Sequence, residues 1–154
     1  MKKRIFKWIL VIAFMVLIFM FSNEVAVESD EKSKFVINIL NMLGIDLNSA
    51  FGNLADFLVR KAAHFTEYFL LFLLLYNALA EDFSVKAAIN LAILFVFLYA
   101  CTDEYHQLFI EGRSGKFRDV LIDTSGGFLC YIIIALKNKK KKKNKKDNIW
   151  TYSM

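Results

Sequence analysis

The chain has 154 residues, enough for one domain, and 57% of them are apolar, with 16 Phe and no Pro. A soluble domain of this size lacks the interior volume to hide that much apolar mass, so the composition argues against a soluble globule and for a bilayer protein. The formal net charge of +5 is concentrated: Lys2, Lys3, Arg4, Lys7 and the eight lysines from Lys137 to Lys146 hold 12 of the 20 positive charges.

Lysine runs beside apolar helices orient membrane proteins and attract anionic lipid. No nucleic-acid partner is expected, because no folded basic face with interleaved aromatics surrounds either run. Cys101 and Cys130 both fall in apolar stretches and form no close metal-type pair. They read as small packing residues.

The first apolar run, residues 5–21, has a basic front but no small-x-small cleavage site after it, which predicts an uncleaved signal-anchor. Residues 22–57 are mixed. Ser29 or Asp30 is a candidate N-cap, Phe35, Val36, Ile39, Leu40 and Leu43 follow at helical spacing, and Gly44 is a natural stop. This predicts a short amphipathic helix on the membrane surface or over the bundle. The second span is expected at 62–80, continuing a helix that starts near Ser49. The third is expected at 85–101 and the fourth at 120–136, each near the ~17–20 residues that cross a bilayer.

The fold class expected is therefore all-α, a four-transmembrane-helix bundle with an extracytoplasmic amphipathic helix. The transmembrane domain covers 1–136, and 137–154 is a Lys-rich cytoplasmic tail expected to be disordered. Four spans place both termini on one side, and the basic residues at both ends make that side the cytoplasm of a multi-pass protein of the cell membrane.

Polar residues gather near the span ends. Arg60, Lys61, His64 and Glu67 open the second span. Asp103, Glu104, His106 and Gln107 close the third. Arg113, Arg118, Asp119 and Asp123 lead into the fourth. With this topology all three groups reach the outer membrane surface. Arg60, His64 and Glu67 fall at i, i+4, i+7 on one helix face, and Asp119 and Asp123 at i, i+4. Glu67 and Asp123 sit in apolar context, where an unpaired charge costs at least ~2.5–3.5 kcal/mol, so each should face the bundle and find a partner.

Three readings are open for this cluster. It is a polar network that pins the helices and the outer loop. Or it is an anion site, with Arg60, Arg113 and Arg118 gripping a lipid phosphate. Or it is a divalent-metal site built from His64, Glu67, Glu104, His106 and Asp123, with Asp103 as a substitute for Glu104. No Walker A, GxSxG or GxGxxG pattern is present.

At these residues the sequence resembles the VanZ-like membrane protein family. The resemblance rests on Phe21-Ser22-Asn23-Glu24 and on Arg60-Lys61-Ala62-Ala63-His64-Phe65-Thr66-Glu67-Tyr68. It rests equally on Asp103-Glu104-Tyr105-His106-Gln107 with Phe109, Gly112 and Arg113, and on Asp119-Val120, Asp123-Thr124 and Gly126-Gly127. It runs from Phe21 to about Leu136. Phe69-Leu70-Leu71 stands where the family often has Leu-Gly, and Glu24 where it has Gln.

The resemblance implies a bacterial four-helix protein of the cytoplasmic membrane, from a family associated with low-level resistance to the lipidated glycopeptide teicoplanin. It implies no agreed catalytic mechanism. The first expectation is a protein that binds an anionic lipid, cell-wall precursor or lipoglycopeptide through Arg60, Arg113 and Arg118. His64, Glu67, Asp103, Glu104, His106, Gln107, Asp119 and Asp123 would shape that pocket, with no cofactor. The second is an intramembrane metal-dependent hydrolase of a lipid-linked phosphate. The third is a structural partner of another envelope protein.

Overall fold

The expected helical bundle is what the chain forms. The computed structural model describes residues 1–151, and no strand occurs among the described residues. The helices are α1 Lys2–Ser22, α2 Ala26–Met42, α3 Leu47–Phe51, α4 Ala55–Leu79, α5 Val85–Gln107 and α6 Phe117–Thr151. Four stretches are long and apolar enough to cross a membrane: Lys2–Ser22, Leu47–Leu79, Val85–Gln107 and Phe117–Lys141.

Several boundaries differ from those the sequence suggests. α2 begins at Ala26, before both Ser29 and Asp30. The Ala26 N–H donates to the Glu111 carbonyl 3.2 Å away, so one orphan donor of the helix start is met from the α5–α6 loop, without a capping side chain. Gly44 does stop α2, with φ 86°. The helix expected from Ser49 onward is broken at Gly52, φ 54°, and a single 3-10 turn at Gly52–Leu54 leads into α4. α5 continues past Cys101 to Gln107, which brings Asp103 and His106 into regular helix. The Lys-rich stretch carries α6 on as helix to Thr151, in keeping with the high helix propensity of Lys and with cheap propagation from a formed helix. Residues 152–154 of the expected tail lie outside the described residues.

α2 turns its serines inward. Ser29, Ser33 and Ile37 are buried, while Phe35 and Leu43 are 66% and 71% exposed. Phe35, Ile39 and Leu43 of its apolar stripe point away from the bundle, as an interfacial helix requires, while Val36 and Leu40 turn toward α4.

The core lies between α1, α4, α5 and α6, with α4 packed most extensively on α6. Tyr68, Leu71, Phe72 and Leu75 of α4 meet Val11 and Ile18 of α1. α5 buries Ala88, Ala92, Val96 and Ala100 at i+4 steps, a narrow stripe that lets its neighbours approach closely. Elsewhere the bundle exposes Ile9, Ile12, Phe19, Leu94, Leu98 and Phe128, a surface suited to lipid and not to water.

The two bundle ends differ in charge. At one, Arg4 pairs with Asp82 at 2.8 Å, and Lys7 Nζ bonds both the Asn77 carbonyl at 2.9 Å and the Glu81 carboxylate. The Lys7 contact holds the Glu81 carboxyl below its ordinary pKa. Val85 and Lys86 of α5 face Lys139 and Lys141 of α6 across the same end. The opposite end holds the α1–α2 corner, the start of α4, the end of α5 and the start of α6.

Candidate functional site

Helix geometry brings the polar groups to one depth. At about 1.5 Å per residue from Leu79, Val85 and Lys137, His64, Asp103 and Asp123 stand about 23, 27 and 21 Å from the basic end, within a hydrocarbon core of about 30 Å. Gly126 and Gly127 set the lateral distance. A Cβ on Gly126 would meet the Phe65 carbonyl oxygen, and one on Gly127 would meet Val96. α6 thus nests against the backbone of α4 and the side chains of α5. One turn before that contact, Asp123 is brought against His64, one residue from Phe65.

Three side chains form the buried centre. His64, Asp103 and Asp123 are 8%, 4% and 0% exposed, and each offers a ligand atom within 4.8 Å of the others. His64 Nδ1 is 3.7 Å from Asp123 Oδ1 and 4.0 Å from Glu67 Oε2. His64 Nδ1 and all four carboxylate oxygens of Asp103 and Asp123 have no hydrogen-bond partner among the described residues.

Around this centre lie three connected hollows. A cleft of about 290 Å³ has Glu24, Lys32, Arg60, His64, Glu67 and Arg113 as its charged or titratable wall. Beyond Arg60 and Arg113 lies a smaller polar cleft of about 140 Å³, whose charged lining is Arg60, Lys61, Arg113, Lys116, Arg118 and Asp119. The first cleft also shares Val36, Val59, Ala63 and Glu67 with an apolar groove of about 630 Å³ between α1, α2 and α4.

The cations around the centre are engaged elsewhere. Arg60 Nη1 donates to Asp30 at 2.7 Å, and Lys61 Nζ pairs with Asp119 at 3.0 Å. Arg118 Nε stands 3.6 Å from the same aspartate, with its guanidinium 5.3 Å from the Phe57 ring centroid. Arg113 donates to the Glu24 carbonyl at 2.9 Å and to the Phe21 carbonyl at 3.4 Å. Burial, and next the charge of Arg60, push its guanidinium pKa down from the ordinary value. Two like charges share this wall, and an anion placed between them would relieve their repulsion.

Most of the expected site residues converge, but not all do so on the centre. His106 belongs instead to the α1 side, with Nε2 3.1 Å from Asn23 Oδ1 and its ring centroid 4.7 Å from that of Phe19. Gln107 Nε2 donates to Ser22 Oγ at 3.1 Å. Glu104 accepts the Lys116 backbone N–H at 3.0 Å and so ties α5 to the loop. Of the metal set drawn from the sequence, His64 and Asp123 meet at the centre with Asp103, the residue the sequence offered in place of Glu104. Glu104 and His106, about 100° and 60° around α5 from Asp103, face other neighbours.

Asp30, Lys32 and Lys116 were not foreseen as part of the site. Lys116 could have been, since it falls in the same Arg113–Arg118 run as two residues that were. Asp30 and Lys32 could not, because nothing local to α2 says which helix it will cover.

Comparison with known proteins adds one finding. The VanZ/LLP1 family model matches residues 6–138 of the chain. No curated protein and no solved structure matches it.

Proposed function

The chain belongs to the VanZ/LLP1 family, and we propose that it is a bacterial cell-membrane protein that binds the anionic headgroup of an amphiphile at its polar end. The observation that carries this reading is the cleft of about 140 Å³ with five cations, Arg60, Lys61, Arg113, Lys116 and Arg118, against the single acid Asp119. An anionic headgroup, of a lipid, a cell-wall precursor or a lipoglycopeptide, would balance a cleft whose lining cations outnumber its one lining acid even with Arg60 and Lys61 already paired. Arginine forks suit phosphate oxygens or carboxylates held in two-point contact. The neighbouring apolar groove gives the attached hydrocarbon a path along α1 and α4 without leaving the bilayer.

Orientation belongs to the same reading. Lys2, Lys3, Arg4 and Lys7 lie at the bundle end where α6 enters its lysine run, and the positive-inside rule assigns that end to the cytoplasm. The cationic clefts then open to the outer leaflet, where cell-wall precursors and glycopeptides are met.

The test uses full-length protein in nanodiscs and a fluorescent polyprenyl phosphate. Arg118 and Lys116 are exposed on the rim, so their glutamine variants leave the core intact. Each of K116Q and R118Q is expected to weaken binding roughly five-fold, on the order of one surface charge, and high salt should erase the difference. Equal binding by wild type and the double variant would remove the basis of this proposal.

A further inference from the structure

We propose that His64, Asp103 and Asp123 form a divalent-metal site of mixed nitrogen and oxygen ligands inside the bundle. This inference stands on the buried centre and not on the headgroup reading.

Two carboxylates and an imidazole meet here; the Tyr68 and Ser22 hydroxyls face Asp103, but neither carries a charge to offset the two acids. Asp123 is fully buried, Asp103 is 4% exposed and His64 8% exposed, and their five facing heteroatoms have no partner among the described residues. Buried carboxylates at this depth are expensive unless a positive charge or several donors offset them. The bordering cations do not supply it: Lys61 is on Asp119, Arg60 on Asp30, and Arg113 on the carbonyls of Phe21 and Glu24. A divalent cation would neutralise both aspartates at once.

The spacing is close to what a metal needs. Metal–ligand bonds of ~2.0–2.2 Å at tetrahedral to octahedral angles separate neighbouring ligand atoms by roughly 3–3.5 Å. His64 Nδ1 and Asp123 Oδ1 are 3.7 Å apart, and all three ligand atoms fall within 4.8 Å. One imidazole and two carboxylates favour zinc or manganese over calcium, which takes six or more oxygens, and over thiolate-seeking metals.

Three protein ligands leave coordination positions open, the pattern of sites that accept water or substrate. His64 and Glu67 line the cleft of about 290 Å³, so the open side faces that cleft. Glu67 Oε2, 4.0 Å from His64 Nδ1, stands ready as a fourth ligand or as a base beside it.

Full-length protein purified without chelator should carry about one equivalent of zinc or manganese by elemental analysis. Chelation should remove it, and titration of zinc or manganese chloride should restore it. D103N and D123N keep side-chain shape but lose ligand charge. Each should lower uptake at least ten-fold, whereas K116Q should not change it. Cobalt titrated into the chelated protein should develop ligand-field absorption that H64A abolishes. If an Asn variant fails to fold, uptake by the wild type decides alone. Wild-type protein that takes up none of these metals stoichiometrically, or uptake unchanged in D123N, would overturn the assignment. Because K116Q and R118Q report on headgroup binding alone, the two proposals fail separately.

Discussion

Arg113 does two things with one side chain. Its guanidinium closes the α1–α2 corner by donating to two carbonyls, and it also forms part of the wall of both polar clefts. Carbonyls at the end of a helix have no intrahelical donor, so their partner must come from outside. Arg113→Ala would strip the Glu24 carbonyl of this donor and leave the Phe21 carbonyl with backbone N–H groups only, and is expected to destabilise the protein by about 1–3 kcal/mol, read by thermal unfolding in detergent. Arg113→Lys should recover only part of this, since one ammonium cannot reproduce a planar fork. Full stability in both variants would show that the corner is held otherwise. The sequence marked Arg113 as a ligand candidate because of its charge. Its second role was hidden, since the carbonyls it caps lie about 90 residues earlier in the chain.

At the scale of elements, the packing of α6 on α4 decides whether a site exists. Gly126 lies against the Phe65 carbonyl, and this contact fixes Asp123 beside His64 one turn earlier. Gly126→Ala should push the helices apart. The expected loss is about 1–3 kcal/mol, as for overpacking in a close-packed interior, and metal uptake should fall with it. A variant that unfolds at the wild-type temperature would contradict the close approach. The spans were legible because apolar runs of that length have one use, and Gly126-Gly127 was legible as a close-packing signal. The break at Gly52 and the direction of α2 were not. Gly52 breaks the helix locally by taking φ 54°, one of several conformations a glycine allows, and the direction of α2 follows from tertiary contacts, since the stripe of Phe35, Ile39 and Leu43 is equally compatible with facing a bundle or a bilayer. His106 escaped correct placement for a related reason: i, i+3 spacing from Asp103 leaves about 60° between them, enough to put it against α1 instead of α4.

The whole molecule is polarised. Basic termini gather at one end, with acids of the α4–α5 turn clasping α1, and a ring of cations surrounds a buried acidic centre at the other. Charge asymmetry along a membrane bundle sets its orientation, and that orientation decides which ligands the polar end can meet. Ser114 is exposed and lines the cationic cleft, so it reports on both questions. The measurement is maleimide labelling of Ser114→Cys, in a chain whose Cys101 and Cys130 are replaced by Ala, on intact cells and on inverted vesicles. The account predicts that an impermeant maleimide labels this position from outside the cell, and that a polyprenyl phosphate slows the reaction. Labelling only from the cytoplasmic face, or a rate indifferent to the anionic lipid, would contradict it.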